Sequence, residues 1–134
     1  MLMSEDGRRR LLIIERAYRG ALETQFADVL YLARELNRQQ GGTDILLRGL
    51  AVTYAAAGSR PAPVMVAGSR KIDTLPDPRE SVRTLIEEGA VIWAEEDDLA
   101  MFETGPDWLL PAVRRGGPAD PLPDWSAYRG VYFL

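Results

Sequence analysis

The chain has 134 residues, a formal net charge of −4 and an isoelectric point near 4.9, which suits a single domain spanning residues 1–134. It contains no cysteine and no histidine. These zeros exclude a thiolate nucleophile, a disulfide framework, a Cys/His zinc site and any Ser-His-Asp or Cys-His arrangement within the chain.

Residues 1–60 carry 9 basic and 7 acidic side chains, and residues 61–134 carry 7 and 13. All nine prolines lie in the second part, so regular structure is expected first and an interrupted course later. The stretch 1–9 is expected to be a flexible N-terminus, with Arg8, Arg9 and Arg10 as a solvated flank. Leu11-Leu12-Ile13-Ile14 is an apolar run without alternation, the pattern of a strand buried on both faces of a parallel sheet. From Leu22, the residues Phe26, Val29, Leu30, Ala33 and Leu36 follow steps of three and four, one face of an amphipathic helix that Gly41-Gly42 stops. Tyr31 lies within this helix and reads as core or interface.

Ile45-Leu46-Leu47 predicts a second strand and Leu50–Ala57 a short helix. Val64–Ala67 reads as a third short strand, followed by an irregular stretch to Pro76. Asp77-Pro78-Arg79-Glu80 carries an N-cap, a proline at the first helical position and a capping-box acid. Val82, Leu85 and Ile86 then form an apolar face, and Gly89 ends the helix. Ala90–Ala94 is a buried-strand pattern, and Asp97–Glu103 fits one or two helical turns. Residues 104–124 contain five prolines and read as loop, anchored by Trp108-Leu109-Leu110. Gly130–Leu134 reads as a last strand. Strands alternating with helices imply an α/β fold with a mostly parallel five-stranded sheet covered on both faces. Ligand sites in such sheets lie beyond the carboxyl ends of strands, here 15–20, 48–50 and 95–98.

Two places could carry chemistry. Tyr18-Arg19-Gly20 could hold an anion at the start of the first helix, or be a plain connection that carries an arginine. No nucleotide-binding glycine fingerprint is present. Glu95-Glu96-Asp97-Asp98 could bind a hard cation or raise one carboxyl pKa for acid–base work. It also reads as a solvated loop in which Asp97 or Asp98 caps the next helix. The late aromatics Trp93, Trp108, Trp125, Tyr128, Tyr132 and Phe133 could line a pocket, but suit a core or a subunit interface better. The low isoelectric point and the lack of a basic stripe argue against a nucleic-acid partner. No apolar run reaches the ~20 residues of a membrane span, and the polar first residues do not read as a signal peptide, so a cytoplasmic location is expected.

Four segments resemble the DsrE/DsrF-like family of small sulfur-relay proteins of the TusBCD type. They are Leu11–Gly20 (LLIIERAYRG), Asp44–Ala55 (DILLRGLAVTYA) with Gly49 at the family glycine, Glu87–Leu99 (EEGAVIWAEEDDL), and Arg129–Leu134 (RGVYFL). The resemblance implies a flavodoxin-like three-layer sandwich that forms homo- or hetero-oligomers with DsrE-like chains. Family members that carry persulfide sulfur have a cysteine just after the strand matching Ala90–Ala94, which falls here at Glu95. The resemblance therefore implies a member without the active cysteine, and neither a cofactor nor a metal is expected. Its candidate ligand-binding residues are Tyr18, Arg19, Gly20, Gly49, Glu95 and Asp97. The alternative is a carboxylate-dependent enzyme, or an anion-binding regulatory module, using Arg19 and Glu95–Asp98.

Overall fold

The computed structural model of the chain describes residues 7–16, 29–57, 65–67, 70–72 and 78–134. Five strands form one sheet in which every pairing is parallel: β1 (Arg10–Ile14), β2 (Thr43–Leu47), β5 (Val91–Glu95), β6 (Arg114–Gly116) and β7 (Gly130–Phe133). Their spatial order is β6-β5-β2-β1-β7. Two further strands, β3 (Met65–Ala67) and β4 (Arg70–Ile72), pair antiparallel in a hairpin of their own. Three α-helices lie among the described residues: α1 (Val29–Gln40), α2 (Pro78–Glu87) and α3 (Glu96–Phe102). A 3₁₀ helix spans Gly49–Ala55, directly after β2.

The uninterrupted apolar runs become the three inner strands, β1, β2 and β5. β2 is buried at all five positions and β1 at four of five, as expected for strands paired on both sides and covered on both faces. Successive side chains point to opposite faces. Leu12, Ile14, Ile45, Leu47, Ile92 and Ala94 face a core built with Leu30 and Ala33 of α1, Val82 and Leu85 of α2, and Leu99 of α3. Leu11, Ile13, Leu46 and Trp93 face the other way and pack with Tyr128 and the half-buried Leu122. Among the described residues, then, the helices cover one face, and the proline-rich C-terminal stretch covers the other.

The helix boundaries follow local chemistry. Gly41 takes a positive φ of 64° directly after α1, where its N–H reaches the Asn37 carbonyl at 2.7 Å. Pro78 opens α2 as expected, and the helix stops before Gly89. Asp77, Leu22 and Phe26 lie outside the described residues, as do residues 1–6. Trp108-Leu109-Leu110 does pack down: Leu109 and Leu110 are buried, and the Leu110 N–H bonds the Ala55 carbonyl at 2.9 Å.

Several expectations need correction. The fifth strand of the main sheet is not Val64–Ala67, whose strand β3 sits in the separate hairpin with β4; it is β6, inside the stretch read as loop. The segment after Leu50 is a 3₁₀ helix that starts at Gly49. Of the two readings of Tyr31, core and interface, the core one fails: the side chain is more than half exposed, because it lies off the Leu30–Ala33–Asn37 stripe that faces the core. Arg9 is not a solvated flank. Its Nε donates to Asp44 at 2.6 Å, its Nη2 donates to the Thr43 carbonyl at 2.8 Å, and its own carbonyl accepts the Arg129 N–H at 2.8 Å.

Candidate functional site

The carboxyl ends of β2, β5 and β6 open into a cleft of about 660 Å³ between the sheet and the C-terminal stretch. The volume falls within the range usual for small-molecule sites. The sheet contributes Leu46, Arg48, Glu95 and Gly116, and the opposite wall runs from Gly117 through Pro118, Pro121, Leu122 and Pro123 to Asp124 and Trp125. The strand pleat accounts for the sheet side: Arg48 follows Leu46 by two residues, and Glu95 follows Trp93 by two, so each polar tip ends an apolar row on the same face.

That wall is pinned by a buried polar network at the other end of the same face. Asp44 is 5% exposed and Tyr128 6%. The Tyr128 hydroxyl donates to Asp44 Oδ2 at 2.6 Å, while Arg9 pairs with Oδ1. Burial, together with the adjacent carboxylate, pushes the Tyr128 hydroxyl well above its ordinary pKa, so it stays a donor. Arg114 lies over the Trp93 ring, 3.8 Å from its centroid, and grips Asp120 with two hydrogen bonds of 3.0 and 2.7 Å. The tail is thus tied to β1, β2 and β6 on either side of the cleft.

At the cleft itself, Arg48 is committed to neighbours. It forms an ion pair with Glu15, and its guanidinium sits 5.9 Å from the centroid of the Phe133 ring. Phe133 meets Trp125 edge-on, with centroids 5.9 Å apart. Both rings are open to solvent, Trp125 at 43% and Phe133 at 59% exposure. Glu95 is different. Burial and the negative charge of Asp98 raise its carboxyl pKa; Arg48 opposes this, Asp97 adds to it, and no hydrogen bond is among the influences. It is a partly desolvated acid without a bonded partner, the kind of group found at functional sites.

The structure separates the four consecutive carboxylates. Glu95 ends β5 and lines the cleft. Glu96 lies against Gly117, where a Cβ would overlap its carboxylate, and borders a second cavity of about 430 Å³ with Leu109, Leu110, Val113 and Arg115. Asp97 is exposed on α3. Asp98 accepts the Gly49 N–H at 2.8 Å. Glu95, not Asp97 or Asp98, is the N-cap of α3, and it makes no side-chain cap bond. Among the described residues, no group of three or more acidic side chains is placed to hold a metal ion.

Of the sequence candidates, Glu95 lines the cleft. Gly49 lies beside it, with a φ of 55° that lets the chain turn from β2 into the 3₁₀ helix. Asp97 acts on the site only through its charge. Tyr18, Arg19 and Gly20 lie outside the described residues. Trp125, one of the late aromatics that could line a pocket, does so; sequence reasoning missed Asp124 and the proline wall as cleft residues. It also missed Asp44 and Tyr128, which are 84 positions apart. An aspartate at the second position of a strand, directly before the apolar Ile45-Leu46-Leu47, was the one signal that could have pointed to Asp44.

No helix among the described residues is long and apolar enough to cross a membrane. No protein-family model and no curated protein sequence matches the chain. The fold is nonetheless shared with the crystal structure of the ychN protein from E. coli, at a TM-score of 0.66 and 19% identity over 95% of this chain and 99% of that one.

Proposed function

We propose that this chain is a non-catalytic DsrE-like subunit. It acts in an oligomeric assembly of DsrE-like chains, or by holding a small ligand or partner at the carboxyl edge of its sheet, in a sulfur-relay setting. The resemblance of four segments to the DsrE/DsrF-like family and the fold shared with ychN support the family context. The observation that carries the non-catalytic reading is Glu95. It ends β5 and lines the cleft, and by the resemblance it occupies the position of the persulfide cysteine. A carboxylate cannot accept and release sulfane sulfur as a thiolate does, and the chain has no cysteine elsewhere. Reactive sulfur in such an assembly would then sit on another subunit.

Size-exclusion chromatography with light scattering on the purified chain tests the assembly role. The proposal expects a dimer or larger species at micromolar concentration. A strict monomer of 14.9 kDa counts against it.

A further inference from the structure

The cleft has a composition that selects among ligands. Its apolar surface comes from Leu46, Leu122 and three prolines, and Trp125 stands at its rim. Its charged lining is one cation and two anions, Arg48 against Glu95 and Asp124. The cation is already neutralised by Glu15. Asp124 keeps its negative charge, because the Ser126 N–H (3.0 Å) and hydroxyl (3.1 Å) donate to one of its oxygens and hold its pKa below the ordinary value. Glu95 has no hydrogen-bonding partner and faces the negative charges of Asp98 and Asp97. A ligand anion in this space would meet repulsion and, among the cleft-lining residues described, only the cation already paired with Glu15. A ligand cation would meet the Glu95 carboxylate, which has no hydrogen-bonding partner, on one wall and the negatively charged Asp124 on the other, with the exposed Trp125 beside them.

We infer that the cleft is a binding site for a small organic cation, an amine or guanidine head on an aromatic or apolar body. The head is placed toward Glu95 and Asp124 and the body against Trp125, Leu122 and the prolines. This reading deepens the ligand-holding half of the proposed function and rests on it; the assembly half is independent, because one protomer carries the whole cleft.

Phenethylamine, phenylethanol and phenylpropionate share a ring and differ in the head group, so they separate charge from apolar contact. Titration of the full chain with each, followed by saturation-transfer NMR and calorimetry, is expected to show binding of phenethylamine alone or at least about tenfold tighter than the other two, the scale of a charge-assisted hydrogen bond. Glu95→Gln is expected to weaken phenethylamine by about the same factor. Trp125→Ala, at an exposed rim position that does not threaten the fold, is expected to weaken every probe that binds. Equal or tighter binding of phenylpropionate or phenylethanol would overturn the inference, as would unchanged phenethylamine affinity in Glu95→Gln, or no binding by any probe. Since the oligomeric state is read separately by light scattering, failure here leaves the assembly role standing, and a monomer there leaves this site standing.

Discussion

Replacing Tyr128 by phenylalanine removes one oxygen and tests whether the buried network holds the cleft wall in place. The ring stays packed beside Leu11, Ile13, Leu46 and Trp93, so the apolar contribution is retained. The lost interaction is a 2.6 Å hydrogen bond to a carboxylate that is 5% exposed. Hydrogen bonds to charged groups contribute roughly 1.5–3 kcal/mol, and the deprived acceptor stays buried. A loss of about 2 kcal/mol is expected, which for a chain of this size lowers Tm by about 8 °C. Thermal unfolding followed by circular dichroism measures it. Asp44→Ala should cost more, about 3 kcal/mol, because it removes the acceptor of both Tyr128 and Arg9, whose side chain is 39% exposed and therefore only partly shielded from solvent. In the double variant the two losses should overlap by about 1.5 kcal/mol or more, since both remove the same bond. A Tyr128→Phe shift below about 2 °C, or strict additivity in the cycle, would refute the reasoning.

Three further outcomes follow from the same geometry. Folded Tyr128 keeps its proton to a higher pH than the unfolded chain, so its contribution is whole below the ordinary value of 10.0 and declines as pH rises beyond it; urea titrations should show wild type losing stability there more steeply than Tyr128→Phe. Glu95 also has a raised pKa, and its charged form is penalised in the folded state. Glu95→Gln should accordingly be more stable than wild type at neutral pH, and the gain should shrink as pH falls and the wild-type carboxyl takes up its proton; equal stability at neutral pH would contradict the desolvation reading. Gly49→Ala should cost about 1–2 kcal/mol, because its φ of 55° is strained for any residue with a Cβ although its nearest neighbour, the Glu15 carbonyl at 3.5 Å, leaves room; chemical denaturation will show it, and a neutral result would mean the turn can relax.

The fold was legible where burial dictates composition. Leu11–Ile14 and Ile45–Leu47 are apolar at every position because both flanks and both faces of β1 and β2 are covered. β6 could not be read in this way. Arg114-Arg115-Gly116 pairs with β5 alone, at the edge of the sheet, and its arginines reach outward to Asp120 and Glu103, so it has loop composition and strand geometry. The apolar content of Val64–Ala67 suggested a strand, but nothing local could tell that its partner is Arg70–Ile72 and not the main sheet. The candidate site divides along the same line. Glu95 was legible as the polar residue that ends an apolar strand. The Asp98–Gly49 bond spans 49 positions, and the Arg9–Asp44–Tyr128 network spans more than a hundred residues of chain. Such pairings are products of topology, and no spacing rule along the chain announces them.

Native mass spectrometry of the chain, purified with its partners from the cells that make it, tests the central claim most directly. The account predicts a complex whose mass resolves into two or more DsrE-like chains, with any bound sulfane sulfur on a cysteine-bearing partner and none on this 14.9 kDa subunit. A lone subunit at that mass, with no associated chain, would contradict it.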